Sequence, residues 1–268
     1  YQSTYGRTAR WRAAASTGVS GSAGRKFGSN TTHAPRSFAR RARSTTSSHA
    51  LAEIAIVIPV RCTTRTPSSA SSGTSCGESR DAADPAILLI GGMGASMDWW
   101  EEEFCQRLAA GGRFVIRYDH RDTGRSVSYP AGVPGYTGAD LAADAAGVLD
   151  AFGRRSAHLA GVSMGGALAQ QVALAHPDRV DSLVLMSTSP AFPSRSELPP
   201  MSDELRAWFA AEVPLPDWAE RSAVIDYLVG YERQLEGAEY FDEAHVRALV
   251  ERIVDRTNDM AASMTNHA

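Results

Sequence analysis

From residue 84 onward, short apolar runs alternate with stretches of helical period. Residues 86–90 read Ala-Ile-Leu-Leu-Ile, an unbroken apolar run that ends in Gly91-Gly92-Met93-Gly94. A run of this length without alternation is what a strand covered on both faces requires. Further strands are predicted over 113–118 (Arg-Phe-Val-Ile-Arg-Tyr), 156–162 and 181–186 (Asp-Ser-Leu-Val-Leu-Met). Between them lie a helix over 98–110 stopped by Gly111-Gly112, one over 137–152 stopped by Gly153, and an Ala/Leu-rich helix over 167–176. Strands and helices alternating at this spacing predict an α/β fold, a mostly parallel sheet flanked by helices. Three more helices are predicted over 202–213, 217–236 and 242–258, with Asp217 and Asp242 as N-caps and an apolar stripe of Val246, Leu249, Val250, Ile253 and Val254. They read as a helical cap.

The first 80 residues differ in texture. Ser, Thr, Ala, Gly and Arg dominate, as in Ser44-Thr45-Thr46-Ser47-Ser48 and Ser68-Ser69-Ala70-Ser71-Ser72. Such a stretch has too little apolar surface to offset its ordering entropy. The expected organisation is a basic, largely disordered leader over 1–80, an α/β core over 81–190 and the cap region over 191–268, with 54–60 able to pair as an edge strand. Charge separates leader from remainder: twelve Lys and Arg against Glu53 and Glu78 give +10, and the rest of the 268-residue chain carries -13.

These distributions exclude several function classes. The aromatics of the leader (Tyr1, Tyr5, Trp11, Phe27 and Phe38) are sparse and lack a stacking rhythm, so a nucleic-acid partner is not expected. The longest apolar run near the front, 50–60, is short and interrupted by Glu53, which argues against a membrane partner. Cys62, Cys76 and Cys105 are odd in number and form no Cys-x-x-Cys or Cys/His cluster. Neither a disulfide framework nor a metal site is expected, and a reducing, cytoplasmic location is.

The chemistry-bearing segment is Gly161-Val162-Ser163-Met164-Gly165. It matches Gly-x-Ser-x-Gly and falls between a predicted strand and a predicted helix, the context of a nucleophile elbow. Gly161 and Gly165 are the elbow glycines, needed because side chains there would meet neighbouring backbone. Ser163 is the candidate nucleophile. The helix opening after it aims backbone N–H groups at the site, so the Met164 amide is one expected oxyanion donor. The Met93 amide, in the glycine-rich loop after the first core strand, is the other.

The runs AILLIGGMGASMDWW, RFVIRYDHRDTGRS, AHLAGVSMGG and HPDRVDSLVLMSTSP together resemble α/β-hydrolases, and within them aclacinomycin methylesterase-like esterases. The stretch Asp-His-Arg-Asp-Thr-Gly-Arg-Ser at 119–126 is the most specific part of the likeness, which covers about 82–268. The resemblance implies carboxyl-ester hydrolysis of a small molecule through an acyl-enzyme on Ser163, with no cofactor. Gly91 departs from the histidine that many relatives carry before the oxyanion glycine.

A serine hydroxyl needs a histidine to take its proton and a carboxylate to orient that histidine. In this fold both follow the serine, on loops after later strands. After 258 no Val/Ile-rich strand ending in an Asp loop appears, nor a terminal Gly-His loop, so the core is expected to lack its last strands with their acid and base. No histidine present fills the role on sequence grounds: His33 and His49 fall in the leader, His158 within a strand, His176 on the face opposite the elbow and His245 on a cap helix. His120 reads as a structural hydrogen-bonding residue near the pocket, and His267 matches a cap position facing the pocket in relatives. The leading expectation is a serine esterase, impaired in this chain, with the cap and Trp99, Trp100 and Trp208 forming an apolar pocket. Alternatives are a noncatalytic truncated hydrolase fragment, or a peptidase or haloperoxidase-type relative on the same fold. Oligomeric state is not legible.

Overall fold

The computed structural model describes residues 57–60, 84–192, 200, 202–211, 213–237 and 239–267. The remainder of the predicted 1–80 leader, with Cys62, Cys76, His33 and His49, lies outside them. Among the described residues five strands, β1 (Val57–Val60), β2 (Ala86–Ile90), β3 (Phe114–Tyr118), β4 (Ala157–Val162) and β5 (Val180–Met186), form one sheet in the order β1-β3-β2-β4-β5. The last four run parallel, while β1 pairs antiparallel with β3, Val57 opposite Tyr118 and Val60 opposite Val115.

Helices cover the sheet on both faces. On one face Leu88, Ile90, Ile116 and Leu159 pack against α2 (Gly138–Ala151) and α3 (Met164–Ala175), through Val148, Leu149, Leu168 and Val172. On the other, Leu89, Val115 and Ala160 pack against α1 (Glu102–Ala109) and Trp100. Adjacent strand residues thus serve opposite cores, which is why these strands read as continuous apolar runs. The start of α2 is set by a reciprocal cap: Asp140 N–H donates to the Thr137 hydroxyl, and Thr137 N–H donates to the Asp140 carboxylate at 2.8 Å.

The helix predicted over 98–110 is in fact two elements, a 3-10 turn at Met97–Trp99 and then α1. Ser96 Oγ donates to Asp98 at 2.8 Å and the Arg256 guanidinium binds Asp98 from far along the chain. These ties hold the turn tight, and no local pattern reveals them.

By its contacts the chain divides into two compact units. Of the described residues the smaller holds α4 (Asp203–Ala210), capped by the Ser202 hydroxyl, with Trp208 stacked edge-on against Phe209. The larger holds the sheet, α1–α3 and the helices α5 (Arg221–Glu236), α6 (Glu243–Arg256) and α7 (Met260–Thr265). The α5–α7 group has its own core of Val224, Leu228, Val246, Val250 and Met260. Among the described residues no helix is long and apolar enough to cross a membrane.

Candidate active site

β4 delivers the chain to Ser163, which adopts φ 52° and ψ −116°, a conformation that non-glycine residues rarely take. The strain is held by neighbours: Ser163 N–H donates to Met186 O at the end of β5 (2.9 Å), and the Thr188 hydroxyl donates to Ser163 O (2.8 Å). The reversal brings backbone so close that a Cβ on Gly161 would collide with the Gly165 carbonyl, and one on Gly165 with the carbonyls of Ile90 and Gly91. Both residues have to be glycine.

Met164 is the first residue of α3, three positions earlier than the predicted helix start. In this first turn the Gly166 and Ala167 amides donate to Ser163 O, at 3.0 and 3.2 Å. Met93 is brought to the same place. Gly92, next to it, lies close enough to the elbow that a Cβ there would be 3.6 Å from Ser163 Cβ. Ser163 and Met93 both line a cavity of about 320 Å³. Its walls are predominantly apolar: Trp99 and Trp100 from the loop after β2, Leu228 and Leu235 from α5, and Ile253, Met260 and Met264 from α6 and α7. Of the tryptophans expected to form this pocket, Trp99 and Trp100 do. Trp208 belongs to the other unit.

The stretch 119–126 turns out to be a buried docking platform. Asp119 is fully buried and accepts from Met97 N–H (2.9 Å) and from both terminal nitrogens of Arg256 on α6 (2.7 Å each). Arg121 makes a two-pronged ion pair with Asp144 on α2 at 2.7 and 2.8 Å. Asp122, at φ 65°, accepts from Tyr129 N–H, from the Tyr136 hydroxyl and from Asn266. Gly124 has a positive φ of 53°, and a Cβ there would fall on the Asp119 carboxylate. These carboxylates are consumed by structure.

So are the histidines nearby. His267 Nε2 donates to Arg121 O (2.8 Å) and its Nδ1 accepts from Gly94 N–H (3.1 Å), so both ring nitrogens are occupied in the neutral form. Burial lowers its pKa. His120, buried beneath it, meets Gly91 O through Nε2 (3.2 Å), while its Nδ1 has no partner among the described residues. Burial and the neighbouring His267 hold its pKa down at about 3. His267 therefore clamps α7 to the loops around the cavity. His245 contacts Glu101, and His158 contacts Ser182 within the sheet. Among the described residues, no side chain hydrogen-bonds to Ser163 Oγ, and no cluster of three metal-ligating side chains forms.

Sequence reasoning missed α7, although Asp259, whose side chain accepts from Ala262 N–H, is a readable N-cap signal. It also missed Glu232 on α5, the one carboxylate among the residues lining the cavity.

Residues 85–226 match a family model described as alpha/beta hydrolase fold. Rhodomycin D methylesterase DauP of Streptomyces sp. (strain C5) is 49% identical over 106 residues, covering 40% of this chain and 36% of that protein. Rhodomycin D methylesterase DnrP of Streptomyces peucetius is 47% identical over 106 residues, with the same two coverages, 40% and 36%. The match thus spans little more than a third of either methylesterase. Among solved structures, a hydrolase from Pseudomonas aeruginosa PA01 is 28% identical with a TM-score of 0.43, covering 68% of this chain and 62% of that one.

Proposed function

The chain belongs to the α/β-hydrolase family, and on that premise we propose that it is a serine carboxyl-ester hydrolase acting on a small apolar ester without a cofactor. The observation that carries this reading is Ser163, held at positive φ on a strand-to-helix elbow and opening on a mostly apolar cavity. In the proposed step, Ser163 Oγ bonds to the ester carbonyl carbon and its proton passes through solvent water to the oxygen of the departing alcohol. The amides of Met93 and Met164 donate to the carbonyl oxygen as it becomes negative. Collapse then expels the alcohol and leaves an acyl-serine, which water cleaves to acid and free serine. Methyl esterases among the relatives support a small alcohol as leaving group.

Catalysis by this chain is proposed to be weak, because the histidines near the cavity are already committed. His267 uses both nitrogens on backbone groups and His120 is buried. A fluorophosphonate probe should label Ser163 slowly, with labelling abolished in Ser163→Ala. The 268-residue chain should turn over p-nitrophenyl acetate near the background rate. Absence of labelling overturns the serine mechanism, and brisk turnover abolished in Ser163→Ala overturns the claim of weak catalysis.

A further inference from the structure

The loop after β2 is gripped by α7 and the residues just past it. Gly92 O accepts from Ala95 N–H at 3.2 Å, which makes residues 92–95 a β-turn with Met93 and Gly94 at its centre. Gly94 stands at φ 68°, the left-handed conformation that the third position of a type II turn requires. Gly94 N–H donates to His267 Nδ1 at 3.1 Å, and Gly94 O accepts from the Ser263 hydroxyl, also at 3.1 Å. Both partners are fixed in turn. Arg121 O can only accept, so the His267 proton sits on Nε2, bonded there at 2.8 Å, and Nδ1 is left as an acceptor. Ser263 is buried, and Asn266 beside His267 donates to Asp122 at 2.9 Å. Met93 N–H has no acceptor among the described residues, and Met93 lines the cavity that also holds Ser163.

We infer that His267 and Ser263 are positioning residues that aim the Met93 amide, by holding the peptides on either side of Gly94. The inference rests on the ester-hydrolase reading, in which Met93 N–H is an oxyanion donor, and says what fixes that donor. A donor is most effective when it is oriented before charge develops, because a loose dipole must be turned toward the oxyanion during the reaction. A β-turn left to itself is poorly fixed: types I and II differ by a flip of the central peptide, here the one joining Met93 to Gly94. The flip would turn Gly94 N–H away from His267 Nδ1, so the imidazole selects one orientation, and the Ser263 hydroxyl holds the next peptide in the same register. The third tie on this loop is Met97 N–H, which donates to the buried Asp119 carboxylate at 2.9 Å. The loop that carries Met93 is thus set by residues more than 160 positions later in the chain, at separations of 169 and 173.

Two substitutions separate the two ring nitrogens. His267→Asn places an amide oxygen where Nδ1 stands and keeps an acceptor for Gly94 N–H, whereas His267→Gln reaches to the Nε2 position and keeps only the tie to Arg121 O. The first measurement is nitrogen-15 relaxation on the full chain at pH 7.5. The Met93 and Gly94 amides should be rigid in the unaltered chain and in His267→Asn, with order parameters of about 0.85, and should fall below about 0.6 in His267→Gln and in Ser263→Ala. The second is the rate of fluorophosphonate labelling of Ser163. His267→Gln should lower the maximal labelling rate about tenfold while leaving the half-saturating probe concentration unchanged, a split that a collapsed cavity would not give, and His267→Asn should restore most of the rate. Rigid Met93 and Gly94 amides in both His267→Gln and Ser263→Ala overturn the inference, as do equal losses of labelling in His267→Asn and His267→Gln. If the unaltered chain does not label while the Met93 amide still loosens in His267→Gln, the serine mechanism falls and the positioning of that amide stands.

Discussion

β3 and β5 are written in similar apolar residues and have opposite fates. All five residues of β3 are buried, with β1 and β2 on its edges and packed helices over both faces. β5 pairs with β4 along one edge and with no strand along the other among the described residues, leaving Leu183, Val184 and Leu185 at 37%, 49% and 44% exposure. An apolar run therefore specifies a strand without specifying what covers it. The difference extends to the loops that follow. The loop after β3 is a closed polar network that anchors α6 and α7, whereas β5 contributes the Met186 carbonyl that holds the elbow. Ser163 thus stands between a heavily supported half of the sheet and a lightly supported one.

The strongest way to break the comparison is to remove the anchor of the β3 side. The fully buried Asp119 carboxylate accepts from Met97 N–H, Arg125 N–H and Arg256. Asp119→Ala leaves the Arg256 charge with Asp98 alone and orphans two backbone donors. The expected cost is about 4 kcal/mol, read from urea unfolding, with loss of cavity-ligand binding before the sheet unfolds. A loss below about 1 kcal/mol, the range of exposed pairs, would show that the platform is not the anchor described.

Acid should attack the same side. His120 and His267 both have lowered pKa values in the folded chain, His120 down to about 3, because burial disfavours the imidazolium. The unfolded chain binds a proton near pH 6.5, so their contribution is fully present above that value and is lost progressively as pH falls from there toward the folded-state values, about 3 for His120. At pH 5.5 the His120 imidazole, kept neutral by the fold, costs roughly 1.4 kcal/mol relative to pH 8, and His267 adds to the loss in the same direction. Urea midpoints between pH 8 and 5.5 should fall accordingly. His120→Leu should remove one share of that slope, and an unchanged slope would assign the acid sensitivity elsewhere.

Much of the core was legible in sequence for a physical reason. Parallel strands buried on both faces need unbroken apolar runs, so 86–90 coincides with β2, and β3, β4 and β5 begin within one residue of expectation. The elbow was legible because its requirement is local: two glycines pressed against backbone around one strained serine. The cavity was less so. Its walls come from residues more than a hundred positions apart, and nothing local marks Glu232 as facing the same space as Ser163. The role of 119–126 was also hidden. Its likeness to known hydrolases was plain, but its partners Arg256, Asn266 and His267 lie more than 130 positions away, at separations of 137, 144 and 146. Polar networks closed across such distances leave no periodic trace.

The finest distinction between the two strands is made by one substitution placed in each. Val115 on β3 is fully buried between α1 and its strand neighbours, whereas Val184 on β5 is 49% exposed. Removing two methyl groups at Val115 deletes contacts that cannot be replaced by solvent, and Val115→Ala should cost roughly 2 kcal/mol. At Val184 the same change removes surface already in water, and the expected cost is under about 0.5 kcal/mol. Paired urea melts measure the difference directly, with a common slope confirming that both variants unfold from the same compact state. If Val184→Ala costs as much as Val115→Ala, β5 is covered in solution by something that packs on it as closely as α1 packs on β3, and the contrast between the two halves of the sheet disappears.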